Sequence, residues 1–202
     1  MHATVSLASI RCMPLTLCVL AVVLAAPLRA ADANLLTNGS FDSGFIDLTE
    51  PAKAADGTPK VSGKIGDGWL DNSDWADIKV VYAQEKSEKH GGTSAQKIEV
   101  KSFGSGAVQF AQKFTFKKGH TYAFSAWLRG TQSTPVEIVL RKRDAPYTTH
   151  VSTTATLSAD WRESKMTGRV EEDGEGFVMF RMTAVAEALI DDVAVVDVTK
   201  AP

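Results

Sequence analysis

Two carboxylates at opposite ends of the chain invite a chemical reading: Asp42 in Asn38-Gly-Ser-Phe-Asp42-Ser-Gly44, and Asp191 in Ala186–Val198, AEALIDDVAVVDV. The second segment alternates with the two-residue period of a strand, and Asp191 shares its parity with Leu189, Val193 and Val195. A carboxylate in an apolar row needs hydrogen bonds, a counter-charge or a metal, because an isolated buried charge is too costly. If the chain ends meet, Asp42 and Asp191 are expected to grip one hard cation. Calcium is the expected ion, since carboxylate and carbonyl oxygens are what this chain offers.

A second group mixes aromatic rings with arginine. In 121–129, Tyr122, Phe124, Ala126 and Leu128 form one row and Ser125, Trp127 and Arg129 the other. In 135–143, Val136, Ile138 and Leu140 read as buried, leaving Glu137, Val139, Arg141 and Arg143 opposite. In 175–183, Val178, Phe180 and Met182 read as buried, leaving Phe177, Met179 and Arg181. Sugar recognition needs this mixture. The apolar face of a pyranose packs on a flat ring, and guanidinium offers paired donors in a plane. It also takes carboxylate bidentately, which favours a glycan with acidic groups. Trp75, among Asp71, Asn72, Ser73 and Asp74, is a further binding candidate, and Tyr147 is expected to cap the groove. The bland alternatives are arginines paired with glutamates for solubility and a Trp127 that is simply packed.

Catalysis has thinner support. A glycoside hydrolase needs two carboxylates across the bond, and Glu137 is the one acid in these rows, with no evident partner. A lyase would abstract a proton with a set such as Tyr147, His150 and Arg141. No HExxH, GxSxG or P-loop occurs. The chain therefore reads first as a non-catalytic polysaccharide or oligosaccharide binder. A calcium-stabilised structural or adhesion domain ranks second, and a lyase-like enzyme third.

The elements that must position these residues start with a leader. Residues 1–30 of the 202 carry Arg11, an apolar run from Leu15 to Ala26, then Pro27 and small residues. This is the pattern of a secretory signal peptide, and the run is shorter than the ~20 residues that span a membrane. Cleavage is expected after Ala30 or Ala33, giving a secreted or periplasmic protein with no membrane segment left. Both cysteines, Cys12 and Cys18, lie in the leader, so the mature chain has no disulfide and a bound cation is the available staple. The whole chain has a net charge of −2, and removing Arg11 and Arg29 makes it more acidic. With no basic run, nucleic acid is not an expected partner. Residues 34–199 suffice for one domain, expected to be monomeric.

Short alternating runs separated by Gly, Asp and Pro predict an all-β sandwich. Strands are expected at 77–84, 95–101, 107–116, 121–129, 135–143, 150–157, 162–170, 175–183 and 187–198, with a short first strand at 34–37. Residues 47–68 read as a long polar insertion, Trp69 as core, and Gln112 as a hydrogen-bonded core residue.

In order and spacing these pieces resemble the carbohydrate-binding modules of families four, nine and twenty-two. NLLTNGSFDSG resembles their opening "NGxFE", with Asp42 in place of Glu. Gly68-Trp69 matches a GW, and HGGTSAQKIEV is similar to a "G-x-x-S-x-x-V" strand. From Gln112 through KKGHTYAFSAWLRG the chain is similar to "Q…GxxYxxSxWxR" at Gly119, Tyr122, Ser125, Trp127 and Arg129. Trp161 matches a strand start, and LIDDVAV matches the closing "IDDV". The resemblance implies a jelly-roll β-sandwich of two antiparallel sheets, like the galactose-binding domains, and often a structural calcium near the chain ends. Asp42 and Asp191 are the ligands it carries over. It also suggests that the three arginine-bearing strands share a sheet, making their outer face one broad groove.

Overall fold

The computed structural model describes residues 33–49, 53–54, 57–131 and 133–199. The expected leader at 1–30 lies outside them. Among the described residues the alternation is realised as strands, with no helix. They are β1 (Phe45–Asp47), β2 (Val61–Gly66), β3 (Leu70–Asp71), β4 (Asp77–Glu85), β5 (Ala95–Ser105) and β6 (Val108–Phe116), followed by β7 (Thr121–Gly130), β8 (Pro135–Lys142), β9 (Thr149–Thr156), β10 (Arg162–Arg169), β11 (Gly174–Met182) and β12 (Ala186–Asp197). One sheet has seven strands in the order β1-β2-β4-β5-β12-β7-β10, the other five in the order β3-β6-β11-β8-β9. Packed face to face, they form a jelly-roll sandwich.

Every strand expected from Asp77 onward forms, with ends displaced by a few residues. The first two expectations fail. Residues 34–37 are not a strand: the Leu35 N–H donates to the Val195 carbonyl (2.8 Å), and the Asn34 side chain supplies further bonds to the last strand in place of a ladder. Its amide donates to the Val193 carbonyl (2.9 Å) and accepts from the Val195 N–H (2.9 Å). Nor is 47–68 one long insertion. β2 lies within it and runs parallel to β4, an exception to the antiparallel expectation. Gly63 disguises this strand and also permits it. Its φ is +97°, and a β-carbon there would fall 1.9 Å from the Tyr82 carbonyl oxygen.

The inner rows make the core, led by Tyr82, Phe110, Phe116, Tyr122, Phe124 and Phe180. Each large side chain buried this way contributes about 1.5–3 kcal/mol. Trp69 belongs here, stacked on Phe110 at 4.5 Å with its indole N–H on the Asn38 carbonyl. Gln112 also lies on the inner side, satisfied by accepting the Thr37 N–H (2.7 Å) and donating to the Thr37 carbonyl (2.8 Å). A second apolar cluster is separate from this core. Ala111, Val139, Phe177 and Met179, with Leu70 against them, lie on the outer side of the five-stranded sheet.

Candidate functional site

The register of the five-stranded sheet orders that outer side. Lys113, Phe177 and Arg141 are cross-strand neighbours on β6, β11 and β8. The next outward row is Leu70, Ala111, Met179 and Val139, and beyond it lie Gln109, Arg181 and Glu137. An apolar stripe therefore runs between two polar rows. Over it opens a cleft of about 560 Å³. Leu70 and Phe177 form its floor, Trp75 and Tyr147 its walls, and Asn72, Gln109, Lys113, Arg141 and Arg143 its polar lining.

Both wall residues are held in place yet open to solvent. Trp75 is 57% exposed, with its indole N–H on the Asn72 carbonyl at 3.0 Å. Tyr147 is 53% exposed at φ +59°, a left-handed conformation that costs a bulky residue about 1–2 kcal/mol. A turn bond from its N–H to the Asp144 carbonyl (2.9 Å) supports it, and the Arg141 guanidinium lies 5.0 Å over its ring. Behind the floor, Asn72 donates to the Gln109 side-chain oxygen (2.6 Å). The Asp71 carboxylate takes bonds from the Tyr82 hydroxyl (2.6 Å) and from the Ser73 N–H (2.9 Å) and hydroxyl (2.8 Å). Burial pushes the Asp71 carboxyl up and these bonds draw it back.

The cations of this face differ in their partners. Arg181 binds Glu137 at 2.5 Å. Arg143 is held by Asp144 (3.1 Å) and by Glu175. Arg141 meets no carboxylate among the described residues; its buried Nε lacks a hydrogen-bond partner, as does that of Arg181, whose charge Glu137 nonetheless answers. Burial, then the nearby Arg181 charge, lowers the Arg141 pKa.

Of the residues singled out from the sequence, Trp75, Arg141, Arg143 and Tyr147 line the cleft. Glu137 and Arg181 share its sheet face as an ion pair. Trp127 and Arg129 do not belong to it. β7 is hydrogen-bonded to β12 and β10 in the seven-stranded sheet, so the three arginine-bearing strands do not share a sheet. Trp127 stacks on His90 at 3.8 Å, and Arg129 donates to the Ala159 carbonyl (2.6 Å) and pairs with Glu88 (3.3 Å). Leu70, Asn72, Gln109, Lys113 and Phe177 complete the cleft without having been singled out as ligand residues. Gln109 and Lys113 carried a usable signal, since both alternate with Phe110, Gln112 and Phe114 on one strand. The three residues of a lyase set do not converge. Arg141 and Tyr147 meet, while the His150 ring packs edge-on against Phe116 of the core at 5.0 Å.

The two carboxylates, from opposite ends of the chain, bind different parts of one loop, His90–Ser94. Asp191 is fully buried. One of its oxygens accepts the N–H groups of His90 (2.9 Å) and Gly91 (3.1 Å), and the other that of Asp192 (2.8 Å). Burial pushes this carboxyl up and the three donors pull it down. Asp42 accepts the N–H (2.6 Å) and hydroxyl (2.7 Å) of Thr93 and the Ser94 N–H (3.3 Å), which hold its pKa low. The parity drawn from the sequence breaks at this point. A bulge between Asp191 and Ala194 resets the alternation, so Ile190 and Val193 both face the core while Asp191 faces outward beneath the loop. Calcium takes about six to eight oxygens, and three of these four carboxylate oxygens, both of Asp191 and Oδ1 of Asp42, already receive N–H donors, which makes the pair a poor fit to a calcium cage on its own. Among the described residues, no three of His, Cys, Asp and Glu come together as ligands.

Comparison with known proteins agrees with this architecture. A CBM4 structure is similar at 20% identity and a TM-score of 0.59, over 80% of this chain and 99% of its own. The CBM22-1 xylan-binding domain of Paenibacillus barcinonensis Xyn10C is similar at 14% identity and a TM-score of 0.56, over 86% and 99%. The N-terminal cellulose-binding domain of Cellulomonas fimi β-1,4-glucanase C is similar at 17% identity and a TM-score of 0.51, over 84% and 100%. At such identities these likenesses speak for the fold alone. No curated protein matches the sequence. The family described as "carbohydrate binding domain" matches residues 33–180, most of the described sandwich, and the chain belongs to that family.

Proposed function

We propose that the mature, exported chain binds polysaccharide without cleaving it, in the cleft on the outer face of the five-stranded sheet. The observation that carries this is the cleft itself: exposed Trp75 and Tyr147 stand either side of a floor that includes the Phe177 ring. A pyranose laid on the Trp75 ring would bury its apolar face. Its hydroxyls would meet the Asn72 and Gln109 amides, which both donate and accept, and the Arg141 guanidinium, which donates. Membership of the carbohydrate-binding family supports the same reading. So does the acid inventory, because Glu137 is committed to Arg181 and no carboxylate lines the cleft among the described residues. Hydrolysis would need two carboxylates across the bond.

The cellulose and xylan that neighbouring structures are named for make a natural first panel. Affinity electrophoresis of the mature chain in gels containing soluble cellulose derivatives, xylans and uronic-acid polymers tests the proposal. The wild type should be retarded by at least one polymer, without generating new reducing ends. Trp75→Ala should abolish the retardation while leaving the melting temperature in place. Retardation by none of them, or a Trp75→Ala variant that binds as wild type does, removes the cleft from this role. N-terminal sequencing of exported protein should begin at Ala31 or Asn34.

A further inference from the structure

The cleft is cationic on a chain whose net charge is −2. Lys113, Arg141 and Arg143 line it, and among the described residues no aspartate or glutamate does. Two neighbouring arginines are already compensated, Arg143 by Asp144 and Glu175, and Arg181 by Glu137. Arg141 and Lys113 have no acidic partner among the described residues. They flank Phe177 on the two strands beside β11. With strands ~4.8 Å apart, their backbones stand roughly 10 Å from each other across an aromatic floor. Arg141 is oriented by the Tyr147 ring beneath its guanidinium, and its buried Nε has an open donor. A partly buried guanidinium without a counter-charge is costly, and an anion from outside would relieve that cost.

We infer that this cleft selects polysaccharide bearing carboxylate groups, with Arg141 and Lys113 taking the carboxylate while the sugar ring lies on Phe177 and against Trp75 or Tyr147. The inference rests on the cleft being the sugar site. The planar fork of Arg141 suits a planar carboxylate, and Lys113 supplies a point charge from the opposite side. Neutral glycans would leave both cations desolvated and unpaired, so the preference has a repulsive side as well as an attractive one.

The test compares polygalacturonate, alginate and glucuronoxylan with the same polymers after reduction of their carboxyl groups to hydroxymethyl, by calorimetry with the mature chain. At least one native polymer should bind about tenfold or more tightly than its reduced form, the scale of one charge-assisted hydrogen bond. The gap should narrow as salt rises. Arg141→Gln and Lys113→Gln should each lower binding of the native polymer towards the level of the reduced one. Lys101→Gln, on the other sheet and ion-paired to Glu99, should keep the preference. Lys113 is exposed, so its variant remains a clean test if Arg141→Gln folds poorly. Equal binding of native and reduced polymers overturns the carboxylate inference and leaves the sugar cleft standing. Preference that survives Lys113→Gln overturns it too, as does binding to dextran sulfate but to none of the uronates. If neither form of any polymer binds, the cleft reading falls and takes this inference with it.

Discussion

The outer faces of the two sheets were built from similar residues and ended up with opposite properties. Each carries an aromatic ring beside arginine on a strand that alternates with the core. On the five-stranded sheet, Trp75, Tyr147 and Arg141 border an open cleft, and the Arg141 Nε has no partner. On the seven-stranded sheet, the His90–Ser94 loop and its flank fold down over the surface. Trp127 is stacked beneath His90, Arg129 is tied to Ala159 and Glu88, and Asp191 is sealed under backbone N–H groups. Side chains of the same kind serve stability where every donor and acceptor is answered within the chain. They are available for a ligand where one is not. Unspent hydrogen-bonding capacity beside exposed aromatic surface separates the two faces more clearly than residue type does.

The largest expected effect tests the closed face. Asp191→Ala would strand three partly buried backbone N–H groups, each worth up to about 1–3 kcal/mol when left unsatisfied. We expect a loss of about 3 kcal/mol or more in denaturant unfolding, with polysaccharide affinity at a fixed folded fraction unchanged. Asp42→Ala should cost less, because its bonds lie at the exposed edge of the same loop. A melting temperature of the wild type that falls on chelation would add a cation to this clasp. A near-neutral Asp191→Ala would break the account of the closed face.

Next comes a reciprocal pair. Trp127→Ala should lower stability by about 2 kcal/mol, since it removes a half-buried ring from its stack, and should leave binding alone. Trp75→Ala should weaken binding about tenfold or more while changing stability by no more than about 0.5 kcal/mol, as an exposed surface substitution does. If both variants lose stability and neither loses binding, the two faces do not differ in the way described.

Much of the fold was legible in the sequence, because alternation marks which residues of one strand share a side. The strands from Asp77 onward, Trp69 in the core and Gln112 as a satisfied inner residue all follow from that period. Alternation says nothing about which sheet a strand joins. Tyr122, Phe124 and Leu128 point inward whether β7 lies beside β8 or beside β12, so Trp127 and Arg129 were assigned to a face their strand does not belong to. Nor does it survive an inserted residue. The bulge at Asp191–Ala194 put Asp191 opposite the side that its parity with Val193 implied. β2 was hidden by Gly63, whose missing side chain looks like a loop in sequence and is a close backbone approach in space. Within the site, Arg141 and Tyr147 were legible as types. The pairing that leaves Arg141 free while committing Arg143 and Arg181 depends on neighbours from other strands.

The smallest effect concerns His150, at the rim of the groove sheet. It sits where the pairing of β8 with β9 slips between Leu140 and Arg141, and its ring packs on Phe116 with Nε2 buried and unpartnered. Burial lowers its pKa below the ordinary 6.5; Glu172 draws it back up, and Lys142 adds a further downward push. The folded state therefore holds this proton less tightly than the unfolded chain does. The stabilisation is present in full above about pH 6.5 and is lost as pH falls from there through the lower, folded value. The melting temperature should accordingly drop slightly between pH 7 and pH 5, above the range in which the low-pKa carboxylates Asp42 and Asp197 are protonated. His150→Leu should flatten that slope, and the difference between the two proteins isolates this residue. Affinity for polysaccharide should not follow the same curve, because His150 does not line the cleft. If affinity falls in step with stability in the wild type and His150→Leu abolishes both changes, an unanswered polar group on the inner side of this sheet is coupled to the outer one. The division between a face that binds and a face that holds the fold would then run between regions of one sheet, as well as between the two sheets.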